Sequence, residues 1–148
     1  VYTFWKRTVP PPSMATFDAP EREYCVVQRS RTNTPLQAFV MLHDPQFVEA
    51  ARLLAERMIH EAGSDAAKRI THGFERCMAR PPTAGEMELV EKALAERLAY
   101  FKAHPDAAKT LLSVGQSPHD GAIDAAELAA YATLARMMLN LSEFITTG

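Results

Sequence analysis

The stretch TAGEMELVEKALAERLAYF, residues 83–101, decides the fold class of this 148-residue chain. A set of apolar side chains recurs in it at spacings of three and four residues, at Met87, Val90, Leu94, Leu98 and Phe101. This spacing places them along one face of an α-helix. At the start of the stretch, Thr83 and Glu86 fit a capping box, in which each side chain accepts a hydrogen bond from the backbone of the other residue. The stretch therefore predicts an amphipathic helix that buries one face.

Two earlier positions carry the same kind of helix-start signal. Thr34-Pro35 and Asp44-Pro45 each place a capping side chain before a proline, which is favoured at the first helical position. The first pair predicts a short helix from Leu36 to about Leu42, and the second predicts a longer helix that ends at Gly63.

The segments on either side of residues 83–101 continue the helical pattern. We expect Ser64 to cap a helix that Pro81-Pro82 stops. His104-Pro105 breaks the next helix, a short helical turn then runs to Leu112, and residues 115–121 form a loop.

The last helix is unusual in composition. Asp124 and Glu127 fit a second capping box, and the helix that they open runs to about Asn140. Between residues 125 and 141 its only charges are Glu127 and Arg136. A helix that is apolar nearly all round is covered on more than one side, so it is either the central helix of a bundle or it partly faces protein outside this chain. We expect it to be the central helix of the bundle, because 148 residues leave room for one.

No strand-like alternation of comparable length occurs after Asn33. We therefore predict an all-α fold, an irregular bundle of five to six helices over residues 34–148. Residues 1–33 form an N-terminal arm, rich in proline and arginine, that packs on the bundle; Pro10-Pro11-Pro12 favours an extended course for it. Five basic and three acidic residues give the arm a net charge of +2, against −4 for the rest of the chain.

The arm and the residues next to it hold the candidate contacts for a ligand or a neighbouring domain. They are Trp5, Lys6, Arg7, Asp18, Arg29, Arg31, Asn33 and Gln37. Guanidinium groups can hold a carboxylate or phosphate by two parallel hydrogen bonds, so a pocket for an anionic or sugar-like ligand is one interpretation. In the other, which we favour, the arginines pair with Asp18, Glu21 and Glu23 and tie the arm to the bundle.

Composition and motifs exclude several classes of function. With 47% apolar residues, 23% charged residues and a net charge of −2, the chain is neither disordered nor suited to strong nonspecific binding of nucleic acid. No apolar run approaches the roughly 20 residues that span a bilayer, and the five histidines share no metal-ligand spacing. We therefore expect no membrane span, no nucleic-acid partner and no metal site. No nucleophile motif is visible, so no catalytic residue is assigned and enzymatic activity stays open.

Cys25 and Cys77 are the only cysteines. They could form one disulfide in an oxidising compartment, but free cysteines are among the most buried residues of proteins. We expect two separately buried thiols.

Several short motifs stand out along the chain: YTFWKRTVPPP (residues 2–12), FDAP (17–20), CVV (25–27), RSRTNTPLQA (29–38), RPPT (80–83) and LNL (139–141). Together they resemble a planctomycete-type domain of unknown function, number 1553. The resemblance covers nearly the whole chain and corresponds to the C-terminal part of the family domain. His43 is a departure, since the family pattern more often has Asn before the Asp.

The resemblance implies a cellular location and neighbouring domains, but no chemical activity. Proteins of this family usually carry an N-terminal export signal and often a planctomycete cytochrome c-type domain, so an exported or periplasmic location is expected. Haem c, where present, belongs to that upstream domain, and we expect no cofactor in this chain. No catalytic residues are established for the family, so none is carried over.

Two functional hypotheses follow. The start at Val1, without an initiator Met, favours a fragment of a multidomain protein. In the first hypothesis the chain is a structural or domain-docking module, and its partners are the upstream domains of the same protein. The alternative is a ligand-binding or hydrolytic unit that takes a carbohydrate-like or anionic substrate through the arginine-rich arm. The sequence leaves the oligomeric state open.

Overall fold

The computed structural model describes residues 9–20, 23–28 and 32–146, and these residues form helices and loops without a β-strand. The helices are α1 (Pro12–Thr16), α2 (Pro35–His43), α3 (Pro45–Glu61), α4 (Ala66–Met78), α5 (Ala84–Ala103), α6 (Pro105–Leu112), α7 (Ala125–Leu139) and α8 (Ser142–Thr146). The all-α prediction is confirmed. The predicted helices correspond to α2 to α7, whereas α1 and α8 are five-residue turns, too short for periodicity to reveal. None of the described helices combines the length and the apolar character that crossing a bilayer requires.

Within the proline run of the arm, Pro11 has the extended conformation that was predicted, with φ −55° and ψ 132°, whereas Pro12 already begins a helix. Pro12 is the first residue of α1, a position where proline sacrifices no helical hydrogen bond and its fixed φ suits the helix. Phe17, just after α1, packs on Phe47 of α3 with ring centroids 5.7 Å apart. The described part of the arm therefore contacts the helical bundle.

Three predicted helix starts are confirmed. Thr34 caps α2 and Asp44 caps α3, each with a proline at the first helical position. Thr83 and Glu86 form the predicted reciprocal capping box of α5. These starts were predictable because a cap and its partner lie within one helical turn of each other.

Two other helix starts differ from the prediction. Asp65, not Ser64, caps α4, because its carboxylate accepts a hydrogen bond from the Ala67 amide at 3.2 Å. At α7, Asp124 accepts from the Glu127 amide, but the Glu127 side chain binds an arginine of α4 in place of closing a capping box.

Helix α7 is the centre of the bundle, as expected. It packs against every helix from α2 to α6 and against α8. Its buried residues are Leu128, Ala129, Ala130, Tyr131, Ala132, Leu134, Ala135 and Met138. Small alanines bring neighbouring helices close to its axis, and Gly73 does the same on α4, where a Cβ would lie about 3 Å from the ends of Met58 and Met138. The nearly all-apolar composition of α7 is thus explained by burial within this chain.

The prediction of two buried thiols is wrong for one of them. Cys25 is exposed in the arm, Cys77 is half-buried on α4, and both are free thiols. Burial raises the pKa of Cys77 to about 11, so this thiol stays protonated at neutral pH.

Candidate functional site

The predicted contact residues divide into two groups. Trp5, Lys6, Arg7, Arg29 and Arg31 lie outside the described residues. Asp18, Asn33 and Gln37 are described, and they lie where the arm meets the start of α2. Whether the arginines line an open pocket or pair within the arm therefore stays a prediction.

Gln37 is the centre of this junction. Its side chain is buried, with 1% of its surface exposed. The amide nitrogen Nε2 donates to the Thr16 carbonyl at 2.9 Å and to Thr32 Oγ1 at 3.0 Å. The amide oxygen accepts from the Thr34 backbone at 2.8 Å, which completes a capping box at the start of α2. One buried amide thus joins the end of α1, the segment before α2 and the first turn of α2.

Asp18 reinforces the same junction. Its Oδ2 accepts from the Thr32 amide at 2.8 Å and from the Thr32 hydroxyl at 2.7 Å, and it lies 3.5 Å from Gln37 Nε2. Asp18 adopts a φ of 56°, a left-handed conformation that Asp tolerates better than most residues. Asn33, next to Thr32, is exposed. The sequence-predicted residues Asp18 and Gln37 therefore come together, and the bonds they make fasten the arm to α2. We call Asp18, Thr32, Thr34 and Gln37 the arm junction.

The opposite side of α2 is apolar and open. Leu36 and Phe39 are 58% and 59% exposed, although Gln37 and Met41 on the other side are buried. The Phe39 ring lies against the exposed His43 imidazole, with centroids 4.5 Å apart. We call Leu36, Phe39 and His43 the α2 outer face. Elsewhere in the described part of the arm, Tyr24 and Val27 are also largely exposed.

A second polar cluster, on α3, was not indicated by the sequence. Arg52 is 1% exposed and donates to Glu56 at 2.8 Å and to the Ser117 carbonyl at 2.7 Å. Glu49 accepts from the backbone amides of Gln116 and Ser117 at 3.0 and 2.8 Å. Hydrogen bonds from Ser117 and Gln116 lower the pKa of Glu49 to about 2. These contacts hold the loop after α6 against α3. Their partners are 65 or more residues apart, so no local pattern could reveal them.

Two further arginines fasten helices to one another. Arg69 of α4 donates to Glu127 of α7 at 2.7 Å. Arg80, after α4, pairs with Glu86 at 2.8 Å and with Glu143 of α8 at 2.7 Å. The charge of each is compensated within the chain.

A groove between α5, α6 and α7 has a volume of about 480 Å³, and two further cavities of about 420 and 460 Å³ lie between α3 and α4 and between α3 and the loop after α6. Phe101 and Ala108 contribute the apolar lining of the groove, and Lys102, Lys109 and Glu127 contribute charges of both signs. Such a mixed lining favours no single class of ion. Among the residues that the structure describes, no three His, Cys, Asp or Glu side chains are grouped so that they could hold a metal ion.

Comparison with known proteins places the chain in a family. Neither a curated protein nor a solved structure shows significant similarity to it. One family model, PSD1, "Protein of unknown function (DUF1553)", matches residues 1–94. The matched residues include the arm junction and the α2 outer face, whereas the LNL segment at 139–141 lies outside them. Because the match spans more than half of the sequence, the chain belongs to the PSD1 (DUF1553) family of proteins of unknown function.

Proposed function

We propose that the chain is a non-catalytic helical module of a larger exported bacterial protein, and that the α2 outer face docks onto another domain of that protein. The observation that carries the proposal is the contrast between the two sides of α2. One side is fastened by the buried Gln37, and the other presents Leu36 and Phe39 more than half exposed. A rigid helix with an open apolar side is a favourable docking element, because little side-chain or backbone freedom is lost when a partner covers it.

The arm junction explains why α2 is suited to this role. The hydrogen bonds of Gln37 and Asp18 fix the entry of the chain into α2, so the exposed side keeps a constant orientation relative to the bundle. The partner proposed here is an upstream domain of the same protein. That part of the proposal, with the exported location and a haem-carrying neighbour, is supported by the resemblance of the N-terminal motifs alone.

The ligand-binding alternative is not favoured by the described residues. Its acidic and amide groups, Asp18 and Gln37, already bond to Thr32, Thr34 and the Thr16 carbonyl. These bonds would have to break before either side chain could take a ligand at the same atoms.

Side-chain footprinting with hydroxyl radicals tests the docking proposal. The oxidation of Leu36 and Phe39 is measured in the 148-residue chain alone and in the full-length protein. We expect it to fall in the full-length protein because a partner domain covers both side chains. Leu89 of α5, which is 69% exposed, serves as the matched control and should react equally in both. Equal oxidation of Phe39 in the two proteins would refute docking on this face.

A substitution gives the same test a magnitude. Burying a Leu or Phe side chain completely stabilises by about 1.5–3 kcal/mol. At Phe39, 59% of the residue's surface is still exposed. Covering this exposed part by a partner domain should therefore contribute about 1–1.5 kcal/mol to docking. Phe39→Ser should therefore weaken docking about five- to tenfold, while Leu89→Ser leaves it unchanged.

A further inference from the structure

An arginine of helix α7 forms a hydrogen bond to helix α2, on which α7 also packs. The Arg136 guanidinium of α7 donates to the Leu42 carbonyl in the last turn of α2. That carbonyl has no helical partner, because the amide of Gln46, four residues on, donates to the Asp44 side chain instead. The arginine therefore caps α2 at the end where the helix dipole favours a cation.

The charge of Arg136 is not balanced within the described part of the chain. Buried Arg52 and Arg69 each pair with a glutamate at 2.7–2.8 Å, but no described carboxylate lies within ion-pair distance of Arg136. Its Nε is buried without a hydrogen-bond partner, and burial lowers the pKa of the guanidinium. A half-buried cation with unused donors is costly unless an anion meets it.

The surroundings of Arg136 indicate what kind of anion fits. Met137 of α7 and Leu141, just after α7, are 47% and 39% exposed, and Phe39, one turn before Leu42, is 59% exposed on α2. A small free anion would leave these apolar side chains in water, whereas a protein surface would cover them and could supply the carboxylate at the same time.

We propose that the domain docked on the α2 outer face carries an aspartate or glutamate, flanked by apolar side chains, that pairs with Arg136. The inference rests on the proposed function, because it names the chemistry of the partner surface. A carboxylate matches the guanidinium by two parallel hydrogen bonds, and the apolar surroundings strengthen such a pair by excluding water. The acidic side chain thus selects the partner and fixes its orientation, and the apolar contacts contribute most of the affinity.

Zero-length crosslinking identifies the partner carboxylate directly. In the full-length protein, Arg136→Lys places an amine at this position, and a carbodiimide joins it to a carboxylate in contact with it. We expect a crosslinked peptide that connects position 136 to an Asp or Glu outside residues 1–148. Arg97→Lys, at an exposed position on α5, is the matched control and should give no such peptide. A crosslink confined to acidic residues of this chain, or to a second copy of it, would overturn the inference.

The unaltered protein provides a second measurement that does not depend on how the variant folds. Phenylglyoxal modifies accessible arginines, and we expect the reactivity of Arg136 to be lost in the full-length protein while that of Arg97 persists. If Leu36 and Phe39 are shielded but Arg136 keeps its reactivity and forms no crosslink, docking stands and the acidic anchor is wrong. If neither apolar side chain is shielded, the proposed function itself fails.

Discussion

The arm junction makes a quantitative prediction for Gln37→Leu. Leucine fills nearly the same space but removes the amide, so the Thr34 amide and the Thr16 carbonyl each lose a bond of 2.8–2.9 Å. Thr32 is less affected, because its hydroxyl keeps Asp18 as a partner. Leaving a buried polar group without a partner costs about 1–3 kcal/mol, and since both backbone groups are only partly buried, the low end applies to each. We therefore expect a loss of about 2 kcal/mol in the free energy of unfolding.

Urea denaturation measures this loss. For a small protein the free energy of unfolding falls by about 1–3 kcal/mol per molar urea, so the midpoint should shift down by about 1 M. Gln46→Leu, the same substitution at an exposed position in the first turn of α3, is the matched control and should move the midpoint little. Amide hydrogen exchange should also accelerate over residues 12–20 and 32–34 more than in α7, because the bonds that are lost fasten the arm.

The comparison between the two glutamines decides the outcome. If both substitutions shift the midpoint equally, the buried amide contributes nothing specific and the arm is held by other contacts. If Gln37→Leu destabilises the chain but leaves hydrogen exchange in the arm unchanged, the amide stabilises the bundle and does not fasten the arm.

Two further predictions concern the loop that α3 holds. Gly115 has a φ of +107°, and a Cβ there would lie 2.6 Å from a Glu49 carboxylate oxygen. Gly115→Ala should therefore lower the free energy of unfolding by about 2–3 kcal/mol, measured by thermal denaturation. Gly121→Ala, with open space around the added Cβ, is the control and should change it little. Because the pKa of Glu49 is lowered from 4.5 to about 2 in the folded chain, its contribution to stability is complete above pH 4.5 and is lost as the pH falls toward 2. In denaturation curves, Glu49→Gln should therefore have a lower free energy of unfolding than the parent at pH 7, and this difference should disappear between pH 4.5 and pH 2. A difference that stays constant from pH 7 to pH 2 would contradict a stabilising role for the ionised, hydrogen-bonded carboxylate.

The helices were predictable from the sequence because their determinants are local. A capping residue such as Thr83 and the apolar stripe that follows it lie within a few turns of one another, and periodicity needs no knowledge of the partner helix. Even the central position of α7 followed from its composition, since a helix that is apolar nearly all round requires neighbours on several sides. The choice between Ser64 and Asp65 was open to error because adjacent residues offered equivalent caps, and the carboxylate makes the hydrogen bond in the folded chain.

The polar interactions of the site were less predictable. Arg52 is followed by ordinary helical residues, and nothing near it shows that a loop 65 residues later covers it. The irregular arm and the family motifs predict Asp18 and Gln37 as site residues, but no local pattern indicates that the buried Gln37 amide joins Asp18 to the capping box of α2. Such contacts depend on tertiary structure, which brings distant backbone groups within hydrogen-bond distance of one side chain.

The region that matches the family model does not coincide with the region that folds as one helical bundle. The match ends at residue 94, in the middle of α5, and leaves α6 and α7 outside it. Yet α3 and α5 bury their apolar sides largely against α7, so the matched residues contain only part of the core in which they pack. The described motif residues are concentrated at the arm junction and the start of α2. Gln37 among them is buried and stabilises the arm junction, whereas Leu36 is 58% exposed. An exposed apolar residue within a family motif is better explained by contact with another molecule or domain than by stability, which favours docking over a purely structural role for α2.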